Sequence, residues 1–185
     1  MLISPNGFSQ SADVIANRFV PLETTPAGIK ARDQETAQTV VLVDVARLDP
    51  RLVGISHPAL ITVFAIVEYA GRTLAAAEFV QGRSLKQLFA GEPCHPRRAA
   101  EIVSELADGV AELHARAIVH GNITQTSALL TAKGKARLSL TSAIGGDEIL
   151  DVNALKLVLK TLGGHPSDEV SAAQSVVILA AALRS

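Results

Sequence analysis

The chain has one cysteine, no tryptophan and a single tyrosine in 185 residues. One cysteine, Cys94, excludes an internal disulfide framework, so a reducing, cytoplasmic setting is the expectation. Aromatic residues make up only 3% and the formal net charge is −1. Without a basic stripe or stacking platforms, nucleic-acid binding is not expected. Charged residues are scarce at 19%. The longest wholly apolar run, Val176 to Leu183, is too short to span a bilayer. The first residues, MLISPNGFSQSADV, lack the basic patch and apolar block of a secretion signal, which predicts a soluble chain. Cys94-His95 pairs two ligand-type residues, but His57, His114, His120 and His165 stand without ligand spacing, so no metal is expected. What the chain does have is 48% hydrophobic residues, enough for one compact domain or two small lobes.

The periodicity changes near the middle. Residues 1–17 form a polar N-terminal extension. From Arg18 the text is strand-like: RFVPLE alternates, Thr24-Thr25-Pro26-Ala27-Gly28 makes a turn, and IKARD and TVVLVDV flank the polar turn Gln34 to Gln38. ALITVFAIVEYA and RTLAAAEFV read as two more strands joined at Ala70-Gly71. Beyond residue 80 the spacing turns helical. Ser84 opens a short helix, and Pro96 starts a long one at the position where proline is tolerated. Ile102, Leu106, Val110 and Leu113 give that helix one buried stripe. A hairpin around Ala128 to Leu140 turns at Lys133-Gly134. A further helix runs from Asp151 to Leu162, ended by Gly163-Gly164. Ser167, Asp168 and Glu169 open a last one. Strands first and helices second predict an α+β protein with a strand-rich part over 18–80 and a helical part over 81–185.

The motif that orders these pieces is Ala117 to Leu138, AIVHGNITQTSALLTAKGKARL. It resembles the catalytic loop of a bacterial-type Ser/Thr protein kinase and the hairpin that follows it, where the family writes H-R-D-L-x-x-x-N. IKARDQETAQTVVLVDV resembles the family's lysine-bearing hairpin. HPALITVFAIVEYAGRTLAAAEFVQGRSL resembles the next two strands and the hinge, with Ala77 as gatekeeper and Glu78-Phe79-Val80 as hinge. DVNALKLVLKTLGG resembles the helix that carries the family's buried structural Asp, here Asp151. The resemblance covers roughly Arg18 to Gly164 in the right order. It implies a kinase-like two-lobe fold: an antiparallel N-lobe sheet, a C-helix shortened or missing, and a reduced helical C-lobe.

Measured against that pattern, the charged positions are empty of charge. The lysine that pairs the nucleotide phosphates falls on Val43. The catalytic-loop Arg, Asp and Asn fall on Gly121, Asn122 and Ser127, and the D-F-G motif on Leu140-Thr141-Ser142. An amide such as Asn122 cannot act as a general base at neutral pH. The Gly-rich loop keeps only Gly28. Thirteen residues, Asp44 to Ser56, stand where the C-helix would be, and eight separate Ser142 from Asp151. No activation segment fits there. Phosphoryl transfer rests on positioning, metal and charge, so no catalytic, cofactor-binding or metal residue is assigned, and ATP and Mg²⁺ binding are not expected.

His120 reads as a core histidine tying the loop to Asp151, and Asn122 as a turn residue. Asp147, Glu148 and Asp151 read as a solvated loop plus one structural carboxylate. Ala75, Ala76 and Ala77 leave room either for a ligand or for a neighbouring side chain. The segment Val176 to Leu183 is apolar all round, and such a helix is buried in a core or against another chain. Val176, Leu179 and Leu183 are therefore the candidate partner-binding residues, for a protein partner or self-association. The expected function is a catalytically inactive pseudokinase acting as an interaction, scaffolding or regulatory module. The alternative is a degenerate nucleotide or small-molecule sensor without phosphoryl transfer.

Overall fold

The computed structural model describes residues 14–90 and 92–184. Residues 1–13 of the expected extension 1–17 lie outside the described residues. Its remainder belongs to the fold: Ile15 is buried and bridges back to Phe19.

The alternating segments form β1 (Phe19–Thr25), β2 (Gly28–Asp33), β3 (Thr39–Asp44), β4 (Leu60–Ile61), β5 (Val63–Tyr69) and β6 (Arg72–Glu78). Five of them make an antiparallel sheet in the order β1-β2-β3-β6-β5. Pro21, which cannot donate to a ladder, sits on the edge strand β1 beside a bulge. The turn between β2 and β3 is fastened by Asp33. Its carboxylate accepts from Arg18 Nε and Nη2, both at 2.8 Å, from Thr36 Oγ1 at 2.7 Å and from the Glu35 amide at 3.0 Å. Between β3 and β4 there is no C-helix, only a single 3₁₀ turn at Pro50–Leu52 capped by Asp49. Leu48, Leu52 and Ile55 from this stretch are buried.

The helical half contains β7 (Gly82–Ser84), α1 (Leu85–Leu88), α2 (Pro96–His114), β8 (Ala128–Thr131), β9 (Ala136–Ser139), α3 (Glu148–Thr161), α4 (Asp168–Ala172) and α5 (Val176–Ala182). Ser84 and Gln87 form a reciprocal capping box on α1. Helix α2 starts on Pro96, with His95 Nδ1 accepting from the Arg97 amide at 3.3 Å. Ile102, Leu106, Val110 and Leu113 are fully buried along it.

Three features depart from the expectation. The second sheet has the order β4-β9-β8-β7, and β4 pairs with β9 in parallel. The strand-rich part thus lends Leu60 and Ile61 to the helical half. The single last helix is instead two. Ala173 takes an extended conformation after α4, Ser175 caps α5 afresh, and Lys156 Nζ donates to the Ser171 and Ala173 carbonyls at 2.9 and 2.6 Å. Helix α3 also starts at Glu148 rather than Asp151, because Asp147 caps it.

The core has two parts. A smaller cluster of Ile15, Phe19, Leu42, Leu74 and Ala76 fills the outer face of the first sheet. The larger runs without a break from Val45, Leu48, Leu52 and Ile55 through α2 to Leu155 of α3 and Leu179 of α5. Among the described residues no helix is long and apolar enough to cross a membrane.

Candidate functional site

The segment after α2 builds the floor of a cleft between the two halves. Asp151, fully buried in the first turn of α3, organises it. Its Oδ2 accepts from the His120 amide at 2.9 Å and lies 2.9 Å from His114 Nε2; its Oδ1 accepts from the Gly121 amide at 2.8 Å. Burial pushes this carboxyl up, but the donors from His114, Gly121 and His120 outweigh it and hold it below the ordinary range. His120, also fully buried, donates through Nε2 to the Ser139 carbonyl at 3.0 Å, and its Nδ1 accepts from the Asn122 amide at 3.2 Å. That arrangement defines a neutral ring, and burial pushes its pKa down.

Gly121 has φ +74°, and a Cβ built there would lie 1.8 Å from the Gly145 carbonyl oxygen. The short 143–147 connection is tied down on the same spot, with the Ile144 amide donating to the His120 carbonyl at 2.8 Å. The glycine at the family's arginine position is thus required by the loop that crosses it.

The rest of the floor is rich in hydroxyls. Asn122 Nδ2 donates to the Ser142 carbonyl at 3.1 Å. Ser127 Oγ accepts from the Thr124 amide at 2.8 Å and reaches the Asn122 carbonyl at 3.1 Å. Thr124 Oγ1 accepts from the Thr126 and Ser127 amides. Leu140–Ser142 is a 3₁₀ turn in which Leu140 is buried, Ser139 Oγ meets Thr141 Oγ1 at 2.9 Å, and Ser142 Oγ donates to the Ser139 carbonyl at 3.0 Å.

The roof is the β1–β2 turn, Thr25 to Gly28, with Val41, Val43 and Ala77 behind it. At the hinge, Glu78 is held by Arg137 from β9: Nη2 to Oε2 at 2.6 Å and Nη1 to Oε1 at 3.2 Å, while Nε donates to the Leu60 carbonyl at 3.1 Å. This clamp joins the first sheet to the second, and no local sequence signal marks it. The cleft encloses about 670 Å³. Among the residues lining it, Glu78 alone carries a charge.

No protein-family model matches the chain. Individual proteins do. It is 28% identical over 116 residues to the serine/threonine-protein kinase pkn2 of Myxococcus xanthus, covering 60% of this chain and 14% of that protein. It is 24% identical over 106 residues to the serine/threonine-protein kinase PrkC of Bacillus subtilis, covering 55% and 16%. The serine/threonine-protein kinase PkaB of Streptomyces coelicolor is 29% identical over 105 residues, covering 56% and 24%. The chain is a relative of the bacterial serine/threonine protein kinases. It spans less than a quarter of the length of each of these three. The fold agrees. A double mutant of the Mycobacterium tuberculosis PknI kinase domain superposes with a TM-score of 0.73 at 16% identity, spanning all of this chain and 98% of that one. The architecture is a reduced kinase fold, with the antiparallel sheet as its N-lobe and α1 to α5 in its C-lobe.

The structure brings Val43, Asn122, Ser127, Thr141 and Ser142 around one cleft, as the kinase resemblance implies. The three candidate partner residues fall elsewhere. Val176 and Leu179 are 2% and 0% exposed within the core of the chain, and Leu183 is half-buried. The apolar side chains that α5 turns outward are Val177 and Ile178, at 65% and 55% exposure. Helix periodicity around a uniformly apolar segment does not mark which side meets α2.

A second hollow of about 690 Å³ lies beside α2 and α5, lined in part by Glu105, Asp108, Glu112 and Arg184. Its acids are paired: Glu105 with Lys135, Asp108 with Arg184, Glu112 with Arg116. Among the described residues, no group of three or more His, Cys, Asp or Glu side chains is placed to hold a metal ion.

Proposed function

We propose that the protein is a catalytically inactive kinase relative, a pseudokinase, that works as a protein-interaction module with a scaffolding or regulatory role. The observation that carries this reading is the lining of the cleft. Side chains without charge occupy every position where the resemblance places a phosphate-pairing lysine, a catalytic carboxylate or a metal ligand: Val43, Asn122, Ser127 and Leu140-Thr141-Ser142. The one carboxylate present, Glu78, is engaged by Arg137. Magnesium-bound triphosphate does not fit such a lining. It brings several negative charges and a dication that demands oxygen ligands, usually one or two of them carboxylates.

Interaction is supported by apolar side chains left outside the core. Ile144 is 76% exposed, and Leu150 and Leu157 of α3 are 52% and 62% exposed. Leu150 and Leu157 lie two helical turns apart on one face.

The deciding experiment is a phosphoryl-transfer assay on purified protein with radiolabelled ATP, Mg²⁺ or Mn²⁺ and generic acceptors, run beside an Asn122→Ala variant. The expected result is no turnover above background for either. Turnover that copurifies with the folded protein and falls with Asn122→Ala would overturn the reading.

A further inference from the structure

We propose that the protein pairs with a second copy of itself through the outward face of α3, the two helices running antiparallel. The inference rests on the reading of the chain as an interaction module and names the partner. A chain that is monomeric yet inert toward ATP sinks the inference and spares that reading; phosphoryl transfer by a dimer does the reverse.

Helix α3 buries one side and leaves the other bare. Val152, Leu155, Val158 and Leu159 face the core, while Leu150, Asn153, Leu157 and Lys160 are exposed. The spacing of those four, by three and four residues in alternation, sets them in one stripe along the helix. Its two leucines lie about 10 Å apart along the axis. Ile149 on the same helix and Ile144 in the connection before it are exposed as well. Apolar side chains gathered in this way mark a contact surface, whereas scattered ones do not.

The charges of α3 say what covers the stripe. Asp151 and Glu148 are turned to His114, at 2.9 and 3.6 Å, and Lys156 is spent on the Ser171 and Ala173 carbonyls. Asp147 and Lys160 remain. Asp147 caps the helix through Oδ1, and neither residue has an ion-pair partner among the described residues. They stand at opposite ends of the stripe with opposite signs, each three residues beyond a leucine. The pattern therefore reads the same when it is reversed. Laid antiparallel on its copy about a two-fold axis, α3 sets Leu150 level with the second copy's Leu157, and Lys160 level with the second copy's Asp147. Asn153, whose side chain makes no hydrogen bond with the described residues, falls beside the axis. Two amides meeting there donate to and accept from each other, and a single polar pair of this kind fixes register. A parallel pairing would set lysine against lysine and aspartate against aspartate. Self-complementarity is what a two-fold contact requires and what a different partner has no need of. The stripe is narrow beside the roughly 1,200–2,000 Å² that stable interfaces bury, so the dimer is weak, with a Kd on the order of 10–100 μM.

The test is sedimentation velocity of the full chain from low micromolar to near-millimolar concentration, where a monomer–dimer equilibrium is expected. Leu157→Glu should weaken the association at least about tenfold. Lys160→Glu sets like charges level with each other and should weaken it about threefold. Adding Asp147→Asn, which keeps a capping side chain, should restore part of that loss. Thermal melting reports whether each variant folds; if Leu157→Glu does not, the Lys160→Glu and Asp147→Asn pair carries the test. Register is read by oxidation in a Cys94→Ser background. Asn153→Cys chains should cross-link to each other, whereas Leu157→Cys chains should cross-link to Leu150→Cys chains and not among themselves. A folded, unaltered chain that stays monomeric at the highest concentration overturns the proposal. So does a dimer that ignores Leu157→Glu, or Leu157→Cys chains that cross-link among themselves as readily as Asn153→Cys chains do.

Discussion

The scaffold beneath the cleft and the lining of the cleft are made from adjacent residues and follow opposite rules. Below, Asp151 spends both oxygens on three donors, and His120 uses both ring nitrogens. A few residues away, Asn122, Thr126, Ser127 and Thr141 face the cavity with neutral groups. Buried charge is present where it holds the chain together, whereas in the lining of the cleft only Glu78 carries a charge. Polar groups that fix a fold and polar groups that line its cleft therefore follow separate rules.

The comparison predicts a graded series. Asp151→Ala removes the carboxylate from three buried donors and should cost about 3–5 kcal/mol, read as a lower urea midpoint. Unchanged stability would mean the hub is not structural. Gly121→Ala forces a Cβ onto the Gly145 carbonyl at a positive φ. It should cost about 2–4 kcal/mol in the same measurement, combining strain and overpacking.

Acidification should act in two stages. His120 is held below its ordinary value of 6.5, so the unfolded chain takes up a proton first, and stability falls as the pH drops below about 6.5. Asp151 and Asp33 are held below their ordinary 3.8, in Asp33 by Arg18 above all. Their contribution is present above that value and lost as the pH falls further. Melting temperature against pH should show both stages, and His120→Asn should remove the upper one. A melting temperature that rises between pH 7 and 5 would contradict the assignment.

Changes to the lining and the outer surface should be the mildest. Thr126→Val and Val177→Asp are each expected to shift stability by no more than about 0.5 kcal/mol. Leu179→Asp, two residues on from Val177 but buried, should cost several times as much. Equal effects at Val177 and Leu179 would mean that α5 is not seated as described.

How far the sequence could be read follows the range of the interactions. The α2 stripe, the Ser84 cap and the antiparallel hairpins of the first sheet rest on periodicity or on local spacing; the tie to Asp151 expected of His120 is made by its backbone amide and by the His114 ring, while the His120 ring turns to Ser139. The parallel pairing of Leu60 with Leu138, the Arg137–Glu78 clamp and the contact of Gly121 with Gly145 join segments far apart in the chain or hidden by a shortened loop. None leaves a local trace. The break between α4 and α5 was legible in principle: Ser175 precedes an apolar run just as Ser167 precedes an acidic one. The uniform apolar text of α5 gave no means of telling its inward side from its outward side, and Val176 and Leu179 proved to be inward.

The stretch from Val45 to Ile55 gives the molecule a mechanical character. Its apolar side chains are embedded in the same continuous core as α2, α3 and α5. A jaw needs a seam along which its two halves can slide, and here the seam is filled with packed hydrocarbon. The halves should therefore breathe as one body, with backbone amides of β3 and α2 exchanging their hydrogens together. The aperture of the cleft is then set once, when the chain folds, and a visitor must be admitted by the turning of single side chains at the rim.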